Sequence, residues 1–173
     1  MPLQNKTANQ YYSFNIGKVH FLFVNYDWYV NNPTNPQYQT AMIEFIHRDL
    51  IEANLTRSLR PWIITVTHRP IYCSYSHPAD LPSKKCHAFY DKYRLFEEIW
   101  YEYRVDMVMQ AHVHYWERMG PVAGNKSMPF YSPPGDLKYN YIINPQAPVY
   151  TLDGSAGNNY YMVSEPSISI NFL

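Results

Sequence analysis

A layered α/β fold is what this sequence predicts, on three observations. Short β-rich apolar runs occur, two segments carry apolar residues at helical spacing, and the two kinds alternate along the chain. Residues 12–15 read as a short strand, and Gly17 turns the chain into residues 20–25, a buried strand by its apolar run. Residues 27–37 are rich in Asn and Pro and read as a loop. Between Tyr38 and Ala53, the positions Met42, Ile43, Phe45, Ile46, Leu50 and Ile51 recur at helical spacing, and residues 54–57 end that helix. Pro61 opens residues 62–67, a run continuous enough for a strand buried on both faces. After a long loop, 69–88, a second helix is expected at about 89–103, with Tyr93, Phe96, Ile99, Trp100 and Tyr103 on one side. Residues 105–110 form the next strand, 121–145 an irregular excursion, and 147–152 a last core strand that ends at Asp153-Gly154-Ser155-Ala156-Gly157.

Bulk properties narrow the function classes. The 173 residues suit one domain or a piece of a larger one. Lys plus Arg equals Asp plus Glu at 14 each, which removes the electrostatic case for nucleic acid or an anionic membrane surface. No stretch is long and apolar enough to span a bilayer. The 18 Tyr suit both sheet residues and the lining of a polar site. The first residues carry no apolar signal region. Three Asn-X-Ser/Thr sequons nevertheless begin at Asn5, Asn54 and Asn125. Cys73 and Cys86 are close enough in sequence for a disulfide contributing about 3 kcal/mol, or they are two free thiols. The bridge would mean an oxidising, secretory or lysosome-like compartment. The absent signal then suggests a missing N-terminal portion.

Chemistry concentrates where two strands end in histidine. One run closes on Thr67-His68, the other on Ala111-His112-Val113-His114. Ligands gather outside the carboxyl ends of strands in open α/β sheets, so three imidazoles would reach one edge. Neutral imidazole is a common ligand for zinc and iron. An extended His-x-His sets both rings on one face, whereas a loop splays them toward two neighbouring metals. His20, His47 and His87 read as structural or surface residues.

Residues 62–74 resemble the Val-x-x-His block of the purple acid phosphatases, within the calcineurin-like metallophosphoesterase superfamily. Residues 105–118, with Glu117-Arg118, resemble their Gly-His-x-His block, and 144–157 their closing strand and glycine turn. Tyr12-Ser13-Phe14-Asn15 also fits. The resemblance implies the C-terminal half of a four-layer αββα fold, a β-sandwich flanked by helices, over residues 1–173, with the family's C-terminal segment at about 119–173. It implies phosphate monoester hydrolysis by a metal-bound hydroxide at a centre of ferric iron with a second iron, zinc or manganese. By resemblance, His68 and His112 ligate the divalent ion and His114 the iron. A bound metal lowers the pKa of water and neutralises phosphoryl charge. Secretory, extracellular or lysosomal residence and glycosylation come with the family.

This chain departs from the pattern in three ways. Ala111 replaces the glycine before His-x-His, as in some animal-type members. Of a His pair that binds phosphate and protonates the leaving group, only His77 is present, with Pro78 after it; His77 reads as a general acid or as a solvated loop residue. The upstream blocks that supply Asp, Tyr and Asn ligands are absent before His68. Gly135-Asp136-Leu137-Lys138-Tyr139 spells one of them downstream, in the wrong order, and reads as coincidence. Ferric iron favours oxygen ligands, so the chain is expected to be an incomplete, weakly active or inactive phosphatase that holds one zinc or none. The alternatives are a non-catalytic truncated paralogue acting as a partner module, and a diesterase or nucleotidase. Exposed sheet edges and apolar faces left by a missing half would make it aggregate or depend on a partner or an oligomer.

Overall fold

The structure, a computed structural model, describes residues 9–74, 87–129 and 142–154, with backbone alone at 87–89. Cys86, His77, the side chain of His87 and the 135–139 motif fall outside the described residues.

Two antiparallel strands open the chain, β1 (Tyr11–Ile16) and β2 (Val19–Val24), turned by Gly17 at φ +55°. Helices α1 (Tyr26–Asn31) and α2 (Pro36–Leu55) follow, then β3 (Trp62–Val66), α3 (His87–Glu102) and β4 (Met107–Gln110). A hairpin of β5 (Trp116–Ala123) and β6 (Lys126–Ser127) precedes β7 (Val149–Asp153). The strand order is β1-β2-β3-β4-β7-β5-β6, with β2, β3, β4 and β7 mutually parallel and β5 antiparallel to β7.

Two segments differ from the sequence expectation in their secondary structure. The loop expected from 27 contains α1, because the Asn25 side chain caps it, its Oδ1 accepting from Trp28 N at 3.1 Å. The excursion expected from 121 begins inside a strand. Pro121 interrupts the ladder, but the register shifts between Arg118 and Pro121, and a bulge is where a sheet tolerates proline.

Among the described residues, each helix lays its apolar face on the same side of the sheet. Leu22, Ile63, Val108 and Leu152 from the strands share one core with Met42, Ile46 and Leu50 of α2 and Phe96 and Trp100 of α3. The opposite side is also apolar, and no described element packs on it. Cross-strand register puts Tyr12, Phe14, Phe23, Trp62 and Met109 on it, with Trp62 54% exposed and Tyr12 stacked on Phe23 at 4.8 Å. The expectation that residues 62–67 are buried on both faces is therefore corrected: Ile63 and Thr65 are buried, while nothing among the described residues covers Trp62.

Candidate metal centre

The parallel strands all deliver their carboxyl ends to one edge. Asp27 follows β2, His68 and Arg69 follow β3, His112 and His114 follow β4, and Gly154 follows β7. Backbone bonds lock the central two ends together: Thr67 N donates to the Met109 carbonyl at 2.9 Å, and Ala111 N to that of His68 at 2.8 Å.

His68 and His112 meet there. His112 Nδ1 lies 3.1 Å from His68 Nε2, with ring centroids 5.0 Å apart and the rings near perpendicular. One ion bound by two imidazoles at about 2.0–2.1 Å in tetrahedral geometry separates its nitrogens by about 3.3 Å, so this pair fits a single divalent ion. His114 is exposed and does not complete a triad. No group of three His, Cys, Asp or Glu placed to hold a metal occurs among the described residues. The described residues therefore do not fit the two-metal centre implied by resemblance, which needs carboxylates beside the imidazoles.

The backbone turns sharply to present His112. Val113 N donates to the Ala111 carbonyl and Tyr115 N to that of Val113, each at 2.9 Å. His112 itself takes φ +72°, a left-handed backbone. Ala111 has no positive φ, so the backbone there does not call for glycine.

A supporting shell holds the loop that follows His68. Gln110, 3% exposed, accepts from Ile71 N at 2.6 Å and donates its amide to the Tyr72 carbonyl at 3.1 Å. The buried Tyr26 hydroxyl donates to the Arg69 carbonyl and sits 3.1 Å from the Thr67 hydroxyl. Arg69 Nε pairs with Asp27 Oδ1 at 3.1 Å, and the same oxygen accepts the Tyr93 hydroxyl. Gln110, Tyr26 and Asp27 lie about forty residues from the loop they hold, so the sequence carried no local signal for them.

Burial, chiefly, and then the nearby Arg69 and His68 charges hold His112 down at about 4, against an ordinary 6.5. Its unfolded form therefore takes up a proton between those values while the folded form does not. Stability of the metal-free chain is expected to be full above about pH 6.5 and to fall as pH drops to about 4. The ring is partly exposed, so roughly 1 kcal/mol is expected after solvent screening. Urea midpoints across that range should show the loss in the parent and less of it in His112→Asn. Asparagine tolerates the left-handed backbone.

His20 and His47 are structural, as the sequence suggests. His20 lies 2.8 Å from Asp49 Oδ2 and 2.9 Å from Asn15 Oδ1, and His47 lies 2.9 Å from the Tyr103 hydroxyl. Cys73 is not a free thiol.

No protein-family model matches the chain. Acid phosphatase type 7 of Danio rerio is 34% identical over 87% of this chain and 35% of its own length. Its human counterpart is 31% identical over 85% of this chain and 33% of its own. Purple acid phosphatase 23 of Arabidopsis thaliana is 34% identical over 87% of this chain and 26% of its own. This chain is a relative of the purple acid phosphatases. It spans about a third of the length of the acid phosphatase type 7 proteins it matches. A purple acid phosphatase from yellow lupin seeds shares the fold, with a TM-score of 0.55 over 90% of this chain and 24% of that one, at 24% identity. The metallophosphoesterase architecture expected from the sequence is thus the one observed.

Proposed function

We propose that this chain is the histidine-bearing part of a metal-dependent acid phosphatase acting on phosphate monoesters, and that these residues alone are an incomplete, weakly active or inactive version of it. The observation that carries the reading is the His68–His112 nitrogen pair, 3.1 Å apart at the ends of adjacent parallel strands. His68 and His112 would hold one divalent ion. When bound, such an ion polarises a phosphoryl oxygen and makes its water more acidic. Arg69, anchored through Nε by Asp27, adds positive charge for the phosphoryl group. His77 is the candidate acid that protonates the leaving group. His114 waits for a second ion whose oxygen ligands come from outside the described residues. The open apolar sheet face supports a covering partner, either the remainder of a longer chain or another subunit. The secretory compartment rests on Cys73, whose expected partner is Cys86.

Mass spectrometry of metal content after zinc loading and desalting tests this. One zinc per chain is expected, with affinity reduced about 100-fold or more in His112→Asn, beyond what loss of an outer-shell partner costs. p-Nitrophenyl phosphate turnover at acid pH should be slight or absent. Absence of zinc binding would sink the metal site. Vigorous turnover abolished by His112→Asn would sink the incompleteness.

A further inference from the structure

The fold treats the sequons at Asn54 and Asn125 in opposite ways. We infer that Asn125 is an N-glycosylation site of the folded protein and that Asn54 is not, an inference resting on the secretory compartment proposed above.

Asn54 lies in the last turn of α2 with both amide hydrogens committed. Its Nδ2 donates to the Leu50 carbonyl and to the Tyr103 carbonyl, each at 2.9 Å, while its Oδ1 accepts from Arg57 Nε at 2.8 Å. The sequon hydroxyl is committed too, since Thr56 Oγ1 bonds back to the Glu52 carbonyl at 3.1 Å. A glycan replaces one Nδ2 hydrogen. It would break the bond to Leu50 or to Tyr103 and force a sugar against the joint closed by the 2.9 Å Arg57–Asp106 ion pair. A chain modified at Asn54 cannot keep both of these bonds, and so cannot reach this structure intact.

Asn125 has the contrary setting. It is the second residue of the two-residue turn between β5 and β6, flanked by the Ala123–Lys126 pair, with φ +58° at both Gly124 and Asn125. Asparagine accepts that backbone readily, and such turns fit the twist of a hairpin. Two bonds fix the turn from beneath: Gly124 N donates to Glu97 Oε1 at 2.7 Å and Asn125 N to the Tyr72 hydroxyl at 3.0 Å. Asn125, Lys126 and Ser127 are all exposed. A glycan here extends into solvent and costs the fold no hydrogen bond of the turn. In the transfer, Asn125 Nδ2 bonds to the anomeric carbon of a lipid-linked oligosaccharide, the lipid pyrophosphate leaves, and the amide gives up one proton.

The test is to express the whole chain behind a cleavable secretion leader in a glycosylating eukaryotic host. Occupancy is then read site by site by peptide mass spectrometry after endoglycosidase release in heavy-oxygen water. Asn125 should be modified in most of the soluble protein and Asn54 unmodified. Asn125→Asp and Ser127→Ala should each remove one glycan while leaving the urea midpoint of the deglycosylated protein in place. Unmodified Asn125 overturns the inference, as does a modified Asn54 in protein that melts like the parent. If little chain leaves the cell, the same occupancy is read in the detergent-extracted pool, where an unmodified Asn125 is equally decisive. The leader supplies the route, so these results judge the site. Endoglycosidase sensitivity of the natural protein in its own cell judges the compartment separately.

Discussion

Gly154→Ala is expected to destabilise the chain by about 3 kcal/mol, the upper end for overpacking, and to cost it zinc. A Cβ on Gly154 would lie 2.2 Å from the Val113 carbonyl oxygen, 2.8 Å from its carbon and 3.1 Å from His112 N. All three are backbone atoms, so no side chain can rotate aside. The backbone they belong to is the one that holds His112 at φ +72°. Relief requires the end of β7 to part from the turn after β4, which moves His112 away from His68. The control is Gly124→Ala. That glycine has φ +58° and nothing within 4 Å of an added Cβ, so its cost is conformational alone, about 1–2 kcal/mol. Urea midpoints and zinc per chain separate the two: Gly124→Ala should lose some stability and keep its zinc, whereas Gly154→Ala should lose both. A Gly154→Ala chain with parental midpoint and full zinc would show that the two strand ends are not packed as described.

That contact illustrates what a sequence can and cannot announce. The histidines were legible because each sits where an apolar run stops, and a strand end is where side chains become available for chemistry. Both long helices were legible from periodicity, and Met42, Ile46, Phe96 and Trp100 are indeed buried. The short helix α1 was not, because six residues are too few for a periodic signal and its start depends on one Asn25 cap. β5 was hidden by Pro121, a breaker in the abstract that a bulge accommodates in the sheet. The shell around the site was illegible for a different reason. Gln110 looks like any polar end to a strand, and only the return of residues 71–72 gives its amide three backbone partners. Gly154 likewise looks like an ordinary turn glycine until β4 and β7 become neighbours.

Glu97→Ala should destabilise the chain by about 3 kcal/mol, although Glu97 is remote from the histidines in sequence. The carboxylate is 2% exposed on α3. Its Oε1 accepts the Tyr72 hydroxyl at 3.1 Å and Gly124 N at 2.7 Å, and Tyr72 in turn accepts from Asn125 N at 3.0 Å. One side chain thus ties α3 to the loop after His68 and to the β5–β6 turn. Hydrogen bonds to a charged group contribute about 1.5–3 kcal/mol each, and buried donors left without an acceptor cost more than the bond itself. Burial above all, and then the Glu97 charge, raise Tyr72 far above the usual phenol range, so the hydroxyl stays protonated and remains a donor at any working pH. Glu97→Gln keeps an acceptor oxygen in place and should recover about half of the loss, since neutral bonds are roughly half as strong as charge-assisted ones. Urea unfolding of the three proteins checks the order parent, Gln, Ala, with an unchanged slope showing that the native surface is the same. An alanine variant within 0.5 kcal/mol of the parent, about the effect of an ordinary surface substitution, would mean that the network carries no net stability. A glutamine variant as unstable as alanine would instead place the effect in the charge. The loop that Tyr72 anchors is also the one that Gln110 clamps beside His68, so Glu97→Ala should weaken zinc retention more than Glu97→Gln does.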